Sequence, residues 1–202
     1  MIDENNYKAK KFNFHYVRHG ETYWNKQKLC QGVKDIELSK QGEQDATILS
    51  KHLKDKEIQV IISSPLKRAI STAKIIQKSC TSSDIIICDE LKERNFGKLE
   101  GLPNSLMYEF EKLEMQSLIR NKNSYDALEI ESWDSFSDRI LTALEFISKY
   151  ADKNNTLVVS HGRVFNAICA VTNTDLIKQL THLNIIKFKY NNFIWNYDIK
   201  TI

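Results

Sequence analysis

Apolar and polar side chains alternate along residues 12–17, with Phe12, Phe14 and Tyr16 set against Asn13 and His15. The run predicts a strand with one buried face, and Gly20 breaks it. Residues 21–38 are polar and read as a loop. Ser39 is suited to cap a helix running to about Leu53, with Ala46, Leu49 and Leu53 on one face. Residues 58–62 form a short apolar run and predict a buried strand. Pro65 fits the first turn of a following helix, whose stripe is Leu66, Ala69, Ile70, Ala73 and Ile76. Residues 85–88 predict a third strand. Residues 104–131 are the least regular: Leu106, Phe110 and Leu113 suggest a helix, residues 120–125 an exposed connection, and the whole an insertion at the rim. Phe136, Ile140, Ala143, Leu144 and Ile147 predict an amphipathic helix. Residues 156–159 predict a fourth strand, residues 163–171 a helix, and residues 185–197 a terminal hairpin turning at Asn191-Asn192.

Strands alternate with helices, which predicts an α/β domain around a mostly parallel central sheet. No linker or repeat divides the 202 residues, so one domain is expected, preceded by a polar arm over residues 1–11. Ligands of such sheets bind beyond the carboxyl ends of the strands. Chemistry-bearing residues follow each predicted strand here: Arg18-His19, Arg68, Glu93 and His161 in turn. The fold class therefore predicts that they converge on one rim.

A histidine beside an arginine at a strand end suits phosphoryl chemistry. An imidazole can take the phosphoryl group covalently, and a guanidinium grips phosphate oxygens in a planar fork. The composition is that of a soluble globular chain, with 42% hydrophobic and 27% charged residues. A net charge of +3, spread along the chain, argues against a nucleic-acid partner, and the cluster Lys8-Ala9-Lys10-Lys11 reads as a solvated arm. No apolar run reaches the length of a membrane span, and residues 1–11 lack the apolar core of a signal peptide. Cys30, Cys80, Cys88 and Cys169 have no metal-site spacing and read as free thiols, which places the chain in the cytoplasm. His15 reads as structural, His52 and His182 as surface or helix-packing residues, and Trp24 as packing beneath its loop.

The segment Arg18-His19-Gly20-Glu21-Thr22-Tyr23-Trp24-Asn25 resembles the signature of the histidine phosphatase superfamily, in its phosphoglycerate mutase-like branch. The resemblance continues through Gln31-Gly32, Asp35, Leu38-Ser39 and Gly42, and through Ser63-Ser64-Pro65-Leu66-Lys67-Arg68-Ala69. It resumes at Leu91-Lys92-Glu93-Arg94-Asn95-Phe96-Gly97 and closes with Ser160-His161-Gly162. It implies a three-layer α/β/α sandwich and a phosphohistidine intermediate, with no metal and no cofactor. By the same resemblance His19 is the nucleophile, Arg18, Arg68 and His161 form the phosphate pocket, and Glu93 is the proton donor. Thr22, Asn25, Gln31, Gly32, Gly162 and Arg163 are expected around the substrate.

The resemblance implies a phosphomonoester hydrolase of a small phosphorylated metabolite, or a cofactor-dependent phosphoglycerate mutase, or a binding module that kept the fold. Family mutases carry Gly-Trp where this chain has Gly32-Val33, and Gly-Asn where it has Gly162-Arg163. They also carry a longer insertion rich in Arg and Pro, whereas residues 104–131 hold the single arginine Arg120. Little chain follows the hairpin to act as a lid. These departures favour hydrolysis, and the intact Arg18, His19 and Glu93 disfavour a binding module. Arg163 has two open readings: it pairs with a second anionic group on the substrate, or it is a solvated first-turn residue. Substrate identity and the choice between monomer and homodimer stay open.

Overall fold

The computed structural model describes residues 11–80, 84–116, 122–176, 180–191 and 194–202. Lys8 to Lys10 of the basic arm, Arg120 and Asn192 lie outside these residues. The elements in chain order are β1 (Lys11–Arg18), α1 (Tyr23–Lys26), α2 (Lys40–Leu53), β2 (Val60–Ser63), α3 (Lys67–Gln77) and β3 (Asp84–Ile87). There follow α4 (Asn104–Met115), α5 (Lys122–Leu128), α6 (Trp133–Ala151), β4 (Thr156–Ser160), α7 (Gly162–Val171), β5 (Asn184–Asn191) and β6 (Ile194–Thr201). The strands form one six-stranded sheet in the order β3-β2-β4-β1-β5-β6. The β3-β2-β4-β1 block is parallel, and β5 and β6 add an antiparallel flank beside β1.

Strand periodicity divides the core into two layers. Phe14 and Tyr16 of β1, Ile62 of β2 and Val158 of β4 pack with Phe136 and Ile140 of α6 and Phe165 of α7. Their neighbours Val17, Ile61, Leu157 and Val159 point the other way and pack with Leu49 and Leu53 of α2 and Ala73 and Ile76 of α3. Both sheet faces are therefore covered, which is the three-layer sandwich the resemblance implied. Each fully buried Leu, Ile or Phe contributes about 1.5–3 kcal/mol of transfer free energy, so the two layers dominate stability.

Caps fix where the helices begin. The Ser39 hydroxyl accepts from the Gly42 N–H at 3.1 Å and starts α2 as expected. Gly42 touches the preceding loop so closely that a Cβ there would collide with the Glu21 carbonyl. Pro65 is not in the first turn of α3, which starts at Lys67. The Lys67 N–H is instead capped at 2.6 Å by the Asp35 carboxylate, which ties the loop to the helix. The exposed connection expected over residues 120–125 is occupied in part by α5. The loop of residues 21–38 contains α1, closed by a reciprocal pair of hydrogen bonds between Thr22 and Asn25. Cys30, Cys80, Cys88 and Cys169 are buried thiols.

Candidate active site

Strands β2, β4 and β1 lie side by side and parallel, so their carboxyl ends deliver Ser64, His161 and His19 to one place. His19 leaves β1 still paired to its neighbour, its N–H donating to the Ser160 carbonyl at 2.9 Å. The His19 and His161 rings are 5.1 Å apart, and both residues are buried.

His19 Nδ1 lies 2.7 Å from the Gly20 carbonyl oxygen. A carbonyl only accepts, so Nδ1 carries the proton and Nε2 keeps its lone pair. Burial holds the His19 pKa well below its ordinary value, and the positive charges of Arg68 and Arg18 act in the same direction. The ring is therefore neutral at physiological pH and nucleophilic at Nε2.

Two arginines flank it. Arg68 is almost fully buried, with its Nη atoms donating to the carbonyls of Lys34 and Gly32, each at 2.7 Å. Burial, with Arg18 nearby, brings its pKa down to about 10, against the opposing attraction of Glu93. Gly32 adopts a φ of +48°, and a Cβ there would land on the Glu100 carboxylate. Arg18 donates to the Leu180 carbonyl at 3.2 Å and rests against Gly162. Four buried side-chain polar atoms among the described residues have no hydrogen-bond partner, and three belong here: Arg18 Nε, Arg68 Nε and His161 Nδ1. Unpaired buried donors of this kind mark a place where a ligand completes the hydrogen bonding.

His161 caps α7 and is held through its backbone, which accepts from the Tyr16 hydroxyl at 2.6 Å. Its Nε2 lies 2.8 Å from Ser64 Oγ. With Ser64 donating, the imidazole proton sits on the unpartnered Nδ1, where it can be given to an oxygen anion. Burial first, then Arg68 and Arg18, keep the His161 pKa well below its ordinary value, so it donates as a neutral ring.

Glu93 faces the same cleft, which encloses about 290 Å³. Its carboxylate accepts from the backbone N–H groups of Arg94 at 3.0 Å and Arg163 at 3.2 Å. Arg139 of α6 clamps the loop beneath it, donating to the carbonyls of Glu90, Lys92 and Glu93 at 2.6, 2.8 and 3.0 Å. The next residue, Arg94, is wholly buried and forms a bidentate pair with Glu114 of α4 at 2.5 and 2.7 Å.

Of the expected substrate contacts, Asn25, Gln31, Gly32, Gly162 and Arg163 line the cleft. Thr22 does not: it is fully buried, and its hydroxyl holds Asn25 and Gln31 in place. The reading of Arg163 as a solvated first-turn residue is corrected. Its guanidinium forms a bidentate pair with Glu111 of α4 at 2.5 and 2.7 Å and stacks 5.3 Å from the centre of the Tyr108 ring. Burial lowers its pKa, but Glu111 outweighs this and raises it overall. His182 is neither a surface nor a helix-packing residue: its Nδ1 lies 2.6 Å from the His19 carbonyl. Nothing in the sequence singles out Glu111, Tyr108 or Arg139, because no local motif marks a long-range partner. Trp24 is half-buried, with its ring facing Gly101.

The sequence pattern describing the Histidine phosphatase superfamily (branch 1) matches residues 14–196. The chain is 35% identical over 152 residues to the "Uncharacterized phosphatase PhoE" of Bacillus subtilis, covering 75% of this chain and 72% of that protein. It is 38% identical over 157 residues to the "Metal-independent phosphoserine phosphatase" of Arabidopsis thaliana, covering 75% of this chain and 65% of that one, which is under two thirds of its length. It is also 38% identical over 146 residues to the "Probable phosphoglycerate mutase GpmB" of Escherichia coli, covering 72% of this chain and 67% of that one. In structure it is similar to the phosphoglycerate mutase from Bacillus anthracis, with a TM-score of 0.79 and 27% identity over 96% of this chain and 93% of that one.

Proposed function

From the premise that this chain belongs to the histidine phosphatase superfamily, branch 1, we propose that it is a metal-independent phosphomonoester hydrolase of a small phosphorylated metabolite. The observation that carries this reading is the hydrogen bond from His19 Nδ1 to the Gly20 carbonyl, which leaves Nε2 unprotonated between two arginines with unpaired Nε groups.

Nε2 attacks phosphorus as the ester P–O bond breaks. Glu93, protonated, gives its proton to the departing alkoxide, and the phosphoryl group stays on His19. A water molecule then attacks phosphorus, Glu93 takes its proton, and the P–N bond breaks to release inorganic phosphate and neutral His19. Arg18, Arg68 and the Nδ1–H of His161 bear on the oxygens of the loose transition state, where fixed donors are most effective. Two arginines supply positive charge that a metal supplies elsewhere, and one relative carries a name that says metal-independent. The cytoplasm is the compartment this reading expects.

Brief mixing with substrate should label His19 with acid-labile, base-stable phosphate, and His19→Ala should abolish turnover of a folded protein. Label on another residue, or undiminished activity in the variant, would falsify the mechanism. A second reading, mutase activity on phosphoglycerate, is favoured by the name of the Escherichia coli relative. Assaying phosphate release and phosphoryl transfer together separates the two.

A further inference from the structure

We infer that the leaving-group side of the cleft is built for the monophosphate of an uncharged, hydroxylated alcohol and disfavours a substrate with a second anionic group. The inference rests on the phosphomonoester reading and deepens it.

Among the described residues that line the cleft, the cations are Arg18, Arg68 and Arg163. Arg18 and Arg68 flank His19, and their charges together balance one phosphate dianion. Arg163, next to Glu93, is the third cation, and both oxygens of Glu111 already occupy its Nε and Nη2. Its guanidinium lies over the Tyr108 ring, 5.3 Å from the ring centre. Its backbone N–H is spent on Glu93. A carboxylate or second phosphate placed there would meet the Glu93 carboxylate, and would find the charge of Arg163 already balanced by Glu111 and its Nε and Nη2 engaged in a charge-assisted bidentate pair.

Uncharged polar groups make up the rest of that side. The side-chain amides of Asn104 and Asn166 line the cleft without a hydrogen bond to the described residues, so they are available to hydroxyl groups. Asn25 uses only its Oδ1, on Thr22, and keeps its amide N–H groups. Amides that both donate and accept suit hydroxyls, and the apolar Met107 and Leu29 beside them suit the C–H faces of a polyol or sugar. The arrangement is specific against charge without reading any one hydroxyl pattern.

A matched pair of probes tests this. Glycerol 3-phosphate and 3-phosphoglycerate differ in whether a hydroxymethyl or a carboxylate stands opposite the phosphate. Each is measured as a competitive inhibitor of aryl phosphate hydrolysis, so neither needs to be turned over. Glycerol 3-phosphate should bind at least about fivefold more tightly, a difference of the size of one lost hydrogen bond. Glu111→Gln frees Arg163 and should shrink that ratio by a similar factor. Equal or tighter binding of 3-phosphoglycerate to the unaltered protein, or an unchanged ratio in Glu111→Gln, overturns the inference. Should Glu111→Gln fail to fold, Arg163→Met leaves Glu111 unpaired and should widen the ratio; a narrower ratio overturns the inference instead. Absence of aryl phosphate hydrolysis would sink the hydrolase reading alone, since calorimetric affinities of the two probes still decide this one.

Discussion

His182 donates its Nδ1 proton to the carbonyl oxygen of His19 across 2.6 Å, and the two rings lie 5.7 Å apart. The contact joins the loop before β5 to the residue after β1, so the backbone of the proposed nucleophile is held from both directions: by Ser160 through its N–H and by His182 through its C=O. His182→Ala should lower kcat/KM for an aryl phosphate by about 0.5–1.5 kcal/mol, the range for one neutral hydrogen bond. Single-turnover labelling of His19 should slow by the same factor, which places the loss in the first chemical step. Labelling at the unaltered rate would show that His182 only shapes the loop.

Glu93 is held by two backbone N–H groups and by the loop that Arg139 clamps. Glu93→Gln keeps those acceptors in part but removes the proton. Phosphorylation of the enzyme by alkyl phosphates should fall by about 100-fold or more, in line with general acid catalysis, while an aryl phosphate with a good leaving group should lose much less. Equal losses for both substrate types in single-turnover measurements would argue against an acid role.

Both partners of the Arg94–Glu114 pair are buried, and Tyr125 adds a hydrogen bond to the same carboxylate at 2.7 Å. Removing one partner leaves a buried charge uncompensated. Glu114→Ala should therefore destabilise the protein by about 3–5 kcal/mol in urea unfolding. A change below about 1 kcal/mol would mean that Arg94 finds enough alternative acceptors, of which the Glu131 carbonyl is already one.

Gly32→Ala combines a left-handed backbone conformation with a collision against Glu100. The shift it forces moves the carbonyl that holds Arg68. Affinity for inorganic phosphate as an inhibitor should fall with little change in overall stability beyond the ~1 kcal/mol strain of a non-glycine residue at positive φ. Unchanged phosphate inhibition would uncouple the loop from the arginine.

Acid should destabilise the fold through histidines that are buried neutral. Burial, with Lys187 and Lys56 nearby, takes the His15 pKa down to about 4, and burial with Arg18 takes His182 down to about 4. Their unfolded values are the ordinary 6.5. Between these limits the unfolded chain binds protons that the folded chain does not, so stability is full above the unfolded pKa and falls as pH drops toward the folded one. Urea midpoints at pH 7, 5.5 and 4.5 should decline, and His15→Gln should flatten the decline. Parallel profiles for the two proteins would remove His15 from the account.

Much of this molecule can be read from short-range pattern. Phe12, Phe14 and Tyr16 announce their strand because period two is a local property, and Ser39 announces its helix because a cap acts on the next turn. His19, Arg68, Glu93 and His161 could be placed on one rim because each follows a parallel strand. The side chains that hold them carry no such mark. Arg139 reaches its carbonyl acceptors from 46 to 49 residues away, and His182 reaches His19 across 163. Glu111 and Arg163 are 52 residues apart, and either alone reads as surface charge. Pro65 suggested a helix start too early, because the cap of α3 comes from Asp35, on another loop.

The two carbonyls that hold Arg68 carry a kinetic consequence. Its guanidinium is oriented when the chain folds, so in the proposed mechanism an arriving phosphate meets a donor whose rotamer freedom is already gone. Little reorganisation then accompanies the change in phosphate geometry during transfer. The same attachment would tie residues 32–34 to that proposed chemistry, since a displacement of the loop moves the carbonyls that hold the guanidinium.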